Sequence, residues 1–193
     1  KNFWQQGLRL AKDNGLKSPA CNLLINLGLL ADSEGNFIEA DNLYASALVL
    51  ARELGDPQKI SRCLQSRATT LFNLANYDEA GLAAQEAYEL AENIGDKLQM
   101  SHALSSLAAA GYYQGKLTEA EKSWQQGLQI VQEMGYEAAE PGMFTNIGAV
   151  LVDKGYYNKA KETIEKAIKK AQSFGQIEDL CYAFEILGAI YLS

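Results

Sequence analysis

His102 is the single histidine of the sequence, and with Cys21, Cys63 and Cys181 it completes the set of side chains suited to soft-metal ligation or thiol chemistry. None of them stands in the pattern such chemistry needs. No cysteine or carboxylate lies near His102 at the spacing of a zinc site or a catalytic triad. The three cysteines are odd in number and far apart, which fits neither a disulfide framework nor a metal knuckle. Gly111 to Lys116 has the outline of a phosphate loop, but its glycine spacing is wrong and no Ser or Thr follows the lysine. A dinucleotide fingerprint, a His-Glu-x-x-His pair and a nucleophile elbow are all missing. The sequence therefore predicts no enzyme, no catalytic residue, no metal and no cofactor.

Binding chemistry is what remains, and the elements that must position it follow from a repeat. Trp4-Gln5-Gln6-Gly7-Leu8 recurs as Trp124-Gln125-Gln126-Gly127-Leu128. A shift of 40 residues aligns the whole chain without a gap. Ala40, Ala80, Ala120 and Ala160 form one column, and Gly15, Gly55, Gly95, Gly135 and Gly175 another. Further columns are Gly35, Ala75, Gly115, Gly155 and Phe37, Tyr77, Leu117, Tyr157. The positions 28, 68, 108, 148 and 188 hold only Gly or Ala. Trp4 and Trp124 share a column with Tyr44 and Ile164, and so read as packing residues. Cys63 reads as core filler, and Cys21 and Cys181 stand four units apart, too far to bridge.

Within a unit the apolar spacing is helical. Leu24, Leu27, Gly28 and Ala31 stand at i, i+3, i+4 and i+7, one face of a helix. After Gly35 a second set follows: Phe37, Ala40, Tyr44, Ala47, Leu48 and Ala51. The glycine columns fall where left-handed helix ends belong. Asp56-Pro57 and Asp96 suit helix starts, and Thr118-x-x-Glu121 reads as a capping box. Each unit is thus two antiparallel helices that bury their apolar faces only by stacking. The expected array has ten helices. A second helix spans 1–16, full repeats span 17–56, 57–96, 97–136 and 137–176, and a first helix spans 177–193.

Composition bounds the setting. At 193 residues, one domain or at most two is expected. Hydrophobic residues make 48% and charged residues 21% of an ordinary globular chain with a net charge of −7. That acidity argues against direct nucleic-acid binding. No apolar run reaches a membrane span and no signal-peptide layout opens the chain, so cytoplasmic residence is expected. The start at Lys1 without Met points to a fragment of a longer protein.

These columns resemble tetratricopeptide repeats in a 40-residue form. The pattern runs Leu24, Leu27-Gly28, Ala31, Gly35-Asn36-Phe37-Ile38-Glu39-Ala40, Tyr44, Ala47 and covers essentially the whole chain. The long second helix, Ala-Leu-x-Leu-Ala-x-x-Leu-Gly-Asp at 47–56, is similar to two groups. One is the sensor region of bacterial signal-transduction ATPases and their associated transcriptional activators; the other is the spindle-orientation adaptor type. The resemblance implies an all-α, right-handed superhelical solenoid that binds partners on a concave groove lined by the first helix of each pair.

On that implication the groove rows are those at 22, 25, 26, 29 and 33 and their equivalents one period on. The candidate ligand residues are Asn22, Asn26, Arg62, Gln65, Ser66, Arg67, His102, Ser106, Tyr112, Tyr113, Asn146 and Tyr182. Their amide, hydroxyl and aromatic groups suit an extended peptide backbone or a polar small molecule. A carboxylate clamp of Asn26, Arg62 and Asn146 matches only loosely, since further basic residues are missing. Arg67 is the anomaly, because its column is otherwise Leu27, Leu107, Ile147 and Leu187. It needs a partner such as Glu39 or Asp78, a route to the surface, or a ligand. The lysines at 154, 159, 161, 166, 169 and 170 give the last full unit a basic, solvated flank.

The expected function is non-enzymatic protein or peptide binding within a larger cytosolic regulator. The alternative is a sensor for a polar small-molecule inducer. Phe3, Trp4 and Leu8 at one end, and Phe184, Leu187 and Ile190 at the other, should leave apolar surface. Further repeats or end-to-end self-association would cover it.

Overall fold

The computed structural model describes residues 1–192, and these are helical almost throughout. Ser193, which the repeat puts on the 33 row, lies outside the described residues. The helices are α1 (Asn2–Asp13), α2 (Lys17–Ser33), α3 (Phe37–Leu54), α4 (Pro57–Asn73) and α5 (Tyr77–Ile94). They continue with α6 (Lys97–Tyr113), α7 (Leu117–Glu133), α8 (Glu140–Asp153), α9 (Tyr157–Phe174) and α10 (Ile177–Leu192). A single 3-10 turn at Glu137–Ala139 precedes α8. Even-numbered helices are the first of each pair. None of the described helices is long and apolar enough to cross a membrane.

The helix ends follow from local chemistry. Every glycine in the 15 and 35 columns has φ between 62° and 77°, the left-handed conformation that lets a carbonyl-capping turn close. Ala75 takes the same conformation with φ 58°, at a steric cost of about 1 kcal/mol that its glycine equivalents avoid. The Asp56 carboxylate accepts from the Lys59 amide at 3.0 Å, and that of Asp96 from the Gln99 amide at 3.1 Å. Pro57 occupies the first turn, where no amide donor is needed. The box expected at Thr118 and Glu121 does not form. Helix α7 starts at Leu117 with Lys116 as its cap residue, which leaves Thr118 already inside the first turn.

The chain divides into two compact units, residues 1–99 and 100–193, with the division inside α6 rather than at the 96/97 repeat boundary. In unit 1, α2 packs on α3, α3 on α4, and α4 on α5, while α1 covers one flank of α2. In unit 2, α7 packs on α8, α8 on α9, and α9 on α10. Close approach depends on matched sizes within a pair. A Cβ on Gly28 would lie 2.6 Å from Tyr44 Cε1, and one on Gly148 would lie 2.3 Å from Ile164 Cδ1.

Burial agrees with most of the packing read from the columns. Tyr44, Cys21, Cys63 and Ile164 are fully buried, and Trp124 is 4% exposed. Burial pushes the Cys63 thiol up to about 12, with the neighbouring Cys21 adding to the effect. Cys181 is exposed. Trp4 departs from its column at 40% exposed, because α1 is flanked by a helix on one side among the described residues. Phe3 and Phe184 are exposed, as expected for the ends, whereas Leu8, Leu187 and Ile190 are partly covered.

Candidate binding face of the first helices

The first helices present one stripe outward, at steps of i, i+4, i+7 and i+11. In unit 1, α2 touches α4 directly, so their stripes lie side by side. Asn22, Leu29 and Ser33 are exposed on α2, with Asn26 half-buried between them. On α4 the equivalents are Arg62, Thr69 and Asn73, exposed, and Ser66, half-buried. This face offers amides, hydroxyls and one guanidinium.

In unit 2, α8 and α10 are likewise in direct contact. Here the stripe carries His102, Ser106 and Tyr113 on α6, Asn146 and Asp153 on α8, and Tyr182 on α10. His102, Tyr113, Asp153 and Tyr182 are exposed, while Ser106 and Asn146 are half-buried. The row at 25 does not belong to the open face throughout. Ile25 is 1% exposed, Thr145 is buried and donates to the Pro141 carbonyl at 2.9 Å, and Gln65 is half-buried. Position 25 follows the core residue Leu24 and turns far enough inward to be covered. Ile186 is also buried, where its column mates are half-open.

Arg67 lies beside this face, paired with an acid that the sequence did not suggest. Its Nε donates to Asp41 Oδ1 at 2.6 Å and its terminal nitrogen to Oδ2 at 3.4 Å. Asp41 is on α3, so the pair ties the second helix of one repeat to the first helix of the next. Glu39 and Asp78, the acids nearest by column, are not its partners. Glu39 instead faces Lys1 at 3.7 Å.

Two aspartates organise the polar side chains at the ends of first helices. In unit 1, Asp32 accepts from Tyr44 at 2.8 Å and from Thr70 at 2.9 and 3.1 Å. Tyr44 and Thr70 are fully buried, so the carboxylate links α2, α3 and α4. Burial and that carboxylate hold the Tyr44 phenol well above its ordinary value. In unit 2, Asp153 accepts from Tyr112 at 2.5 Å. Tyr112 is half-buried, its ring edge-on to Tyr113 at 5.5 Å and tilted against Trp124 at 6.1 Å. Its phenol is raised too, by burial first and then by Asp153. The Asp32 cluster escaped the sequence reading because its column continues as Phe72, Tyr112 and Val152, with no shared chemistry to signal it.

The basic flank of the last full unit is largely engaged. Lys154 bonds Glu121 at 2.7 Å, and Lys170 reaches the buried carboxylate of Glu140 at 3.1 Å. Lys159 sits over the Tyr156 ring and Lys161 over that of Tyr191. No group of three or more metal-ligating side chains gathers among the described residues.

Comparison with known proteins gives a consistent picture. Residues 141–172 match the family model described as tetratricopeptide repeat. No curated protein matches the chain significantly. Among solved structures, the chain is similar to BtubC (BKLC) from P. vanneervenii, with 24% identity and a TM-score of 0.81 over 97% of this chain and 78% of that one. It is also similar to a Rap protein complexed with competence and sporulation factor, at 17% identity and TM-score 0.72, covering 88% of this chain and 53% of that chain. A third is a STAND signal-transduction ATPase with a tetratricopeptide repeat sensor, from Pyrococcus horikoshii, at 15% identity and TM-score 0.80. There the match covers 96% of this chain and 31% of the other. The chain thus spans about half of the Rap protein and about a third of the ATPase, and shares the fold with all three.

Proposed function

We propose that this chain, a member of the tetratricopeptide-repeat family, is a non-enzymatic binding module that holds a protein segment along the outward stripe of its first helices. The observation that carries this reading is the stripe itself. On α2, α4 and α6 the positions 22 and 33 and their equivalents are open, and all six hold hydrogen-bonding side chains. Such groups satisfy an extended backbone without demanding one sequence. The likeness to a Rap protein complexed with competence and sporulation factor, and to an ATPase with a tetratricopeptide repeat sensor, supports a place within a larger cytosolic regulatory protein.

Affinity capture with two paired variants tests the reading. One carries Asn22→Ala with Arg62→Ala in unit 1, the other Tyr113→Ala with Asn146→Ala in unit 2, each checked for unchanged helicity. A protein partner lost from either variant supports the stripe as the working surface and shows which unit holds it. Loss of a bound metabolite instead would favour the inducer-sensor alternative. Identical capture by both variants and the parent chain would overturn the assignment to this face.

A further inference from the structure

Two helices of the array each lack the half of a repeat that the other could supply. By the 40-residue period α10 is a first helix and α1 a second helix. Among the described residues α10 packs on α8 and α9, and α1 on α2, so each keeps one flank open. Both helices leave large apolar side chains exposed: Trp4 and Leu10 on α1, and Ile177, Phe184 and Leu192 on α10.

The internal pairs show what such a flank is shaped to receive. A first helix seats the 44 position of its second helix on its small residue at 28. A Cβ on Gly28 would meet Tyr44, and one on Gly148 would meet Ile164. Gly188 holds that small position on α10, and nothing lies within 4 Å of its would-be Cβ. Trp4 holds the 44 position on α1, in the same Trp-Gln-Gln-Gly-Leu that α7 carries at 124–128. On α7 the tryptophan is 4% exposed, with the Tyr112 ring at 6.1 Å; on α1 it is 40% exposed.

Let α1 of a second copy lie along α10, with Trp4 in the place 40 residues beyond Ile164. Trp4 then covers Gly188 and meets Leu192, which holds the column position of Tyr112. The same register sets Gly7 on Cys181, as the Ala47 carbonyl takes the Cys21 thiol at 3.4 Å. It sets Leu10 on Ile177, where the preceding repeat pairs Lys170 with Glu137. An ion pair is thus replaced by an apolar pair on both sides at once. Charge agrees: α10 carries Glu178, Asp179 and Glu185 and no basic residue, whereas α1 carries Arg9 and Lys12 against Asp13 alone.

We propose that a second copy of this chain covers α10, its α1 docking as the second helix of that pair and completing a repeat across the junction. The contact joins unlike faces. One junction leaves an open α1 on one copy and an open α10 on the other, so assembly proceeds head to tail. Burial of apolar surface drives it, and the opposite charges of the two helices steer it.

Sedimentation velocity of the 193-residue chain, from about 1 μM to about 1 mM, tests the proposal. The mass should rise with concentration above the 21.1 kDa of one chain. Trp4→Ala removes the knob, and Gly188→Arg fills its seat without striking a packed neighbour. Each should raise the concentration of half-assembly about tenfold or more. Mixed in equal amounts, the two variants keep one intact α10 and one intact α1, so they should form a heterodimer and stop there. A mixture that associates no better than either variant alone overturns the proposal. Maleimide labelling of Cys181, the one exposed cysteine, needs no variant and should slow as the parent chain is concentrated. A labelling rate that ignores concentration, or a parent that stays at single-chain mass, overturns the proposal and leaves the α10 flank to another occupant.

Discussion

Unit 1 and unit 2 each tie an aspartate to a tyrosine hydroxyl near the end of a first helix, yet the two pairs differ in depth. Asp32 gathers Tyr44 and Thr70, both fully buried, and takes three close contacts from two donors. Asp153 takes one, from a tyrosine that is only half-buried. The first carboxylate is consumed by the fold, because it accepts from the buried Tyr44 hydroxyl and shares that of Thr70 with the Ser66 carbonyl at 3.0 Å. The second stays open to solvent. The same two residue types thus join three helices in one unit and two helix ends in the other, and burial separates the two cases.

Removing each carboxylate should expose that difference most sharply. Asp32→Ala removes the acceptor of the buried Tyr44 hydroxyl and leaves Thr70 only the Ser66 carbonyl, and should cost about 2 kcal/mol in denaturant unfolding. Asp153→Ala should stay within about 0.5 kcal/mol. Equal losses would mean that the two pairs play the same structural role.

Helix contact offers the next contrast. Gly28→Ala and Gly148→Ala drive a methyl into Tyr44 and Ile164, and overpacking of about 2 kcal/mol should exceed the gain in helix propensity. Gly188, in the same column, has nothing within 4 Å of its would-be Cβ, so Gly188→Ala should stabilise by up to about 1 kcal/mol. Thermal melts of the three variants should therefore move in opposite directions.

The Arg67–Asp41 pair of unit 1 should contribute less, since both side chains retain some solvent. Arg67→Leu should cost about 1 kcal/mol by leaving Asp41 alone, and Arg67→Leu with Asp41→Ala should recover most of it. A ligand anchor behaves differently: the double variant would be stable but would lose its partner.

The smallest effect is one of pH. Tyr44 and Tyr112 both have phenols raised above the ordinary value of 10.0. The folded chain therefore holds those protons where the unfolded chain releases them. Their contribution is present below pH 10 and declines as pH climbs beyond it. Urea midpoints should fall between pH 9 and pH 10.5, by less in Tyr44→Phe than in the parent. Tyr112→Phe should remove a smaller share, because its ring is less buried.

The fold was legible because its instructions are local. A left-handed glycine, a capping aspartate or a run of small residues acts within a few positions, and a 40-residue period shows each of them several times. The ten helices of the described residues follow from that, while the cap at Thr118 and the 3-10 turn before α8 do not. That positions 22 and 33 would be open on α2, α4 and α6 was also legible, since helical periodicity fixes which positions oppose the core, whereas the 26 row is half-buried and closes at Ile186. The row at 25 was not, because a 100° step leaves a residue at the rim of the core, and only the neighbouring helix settles whether it is covered.

Partner identity is where tertiary structure took over. Column spacing offers Arg67 the acids at Glu39 and Asp78, but the register of α3 against α4 brings Asp41 to it. Likewise the repeat puts Asp32 in the column of Phe72, Tyr112 and Val152 and Asp153 in the 33 row, but neither column carries a shared chemistry that names a partner. The crossing of helices determined that each would meet a tyrosine, which one, how deep, and with how many donors. Hydrogen-bond satisfaction and desolvation depend on distances of a few ångströms between segments far apart in sequence, and repeat periodicity carries no information at that scale.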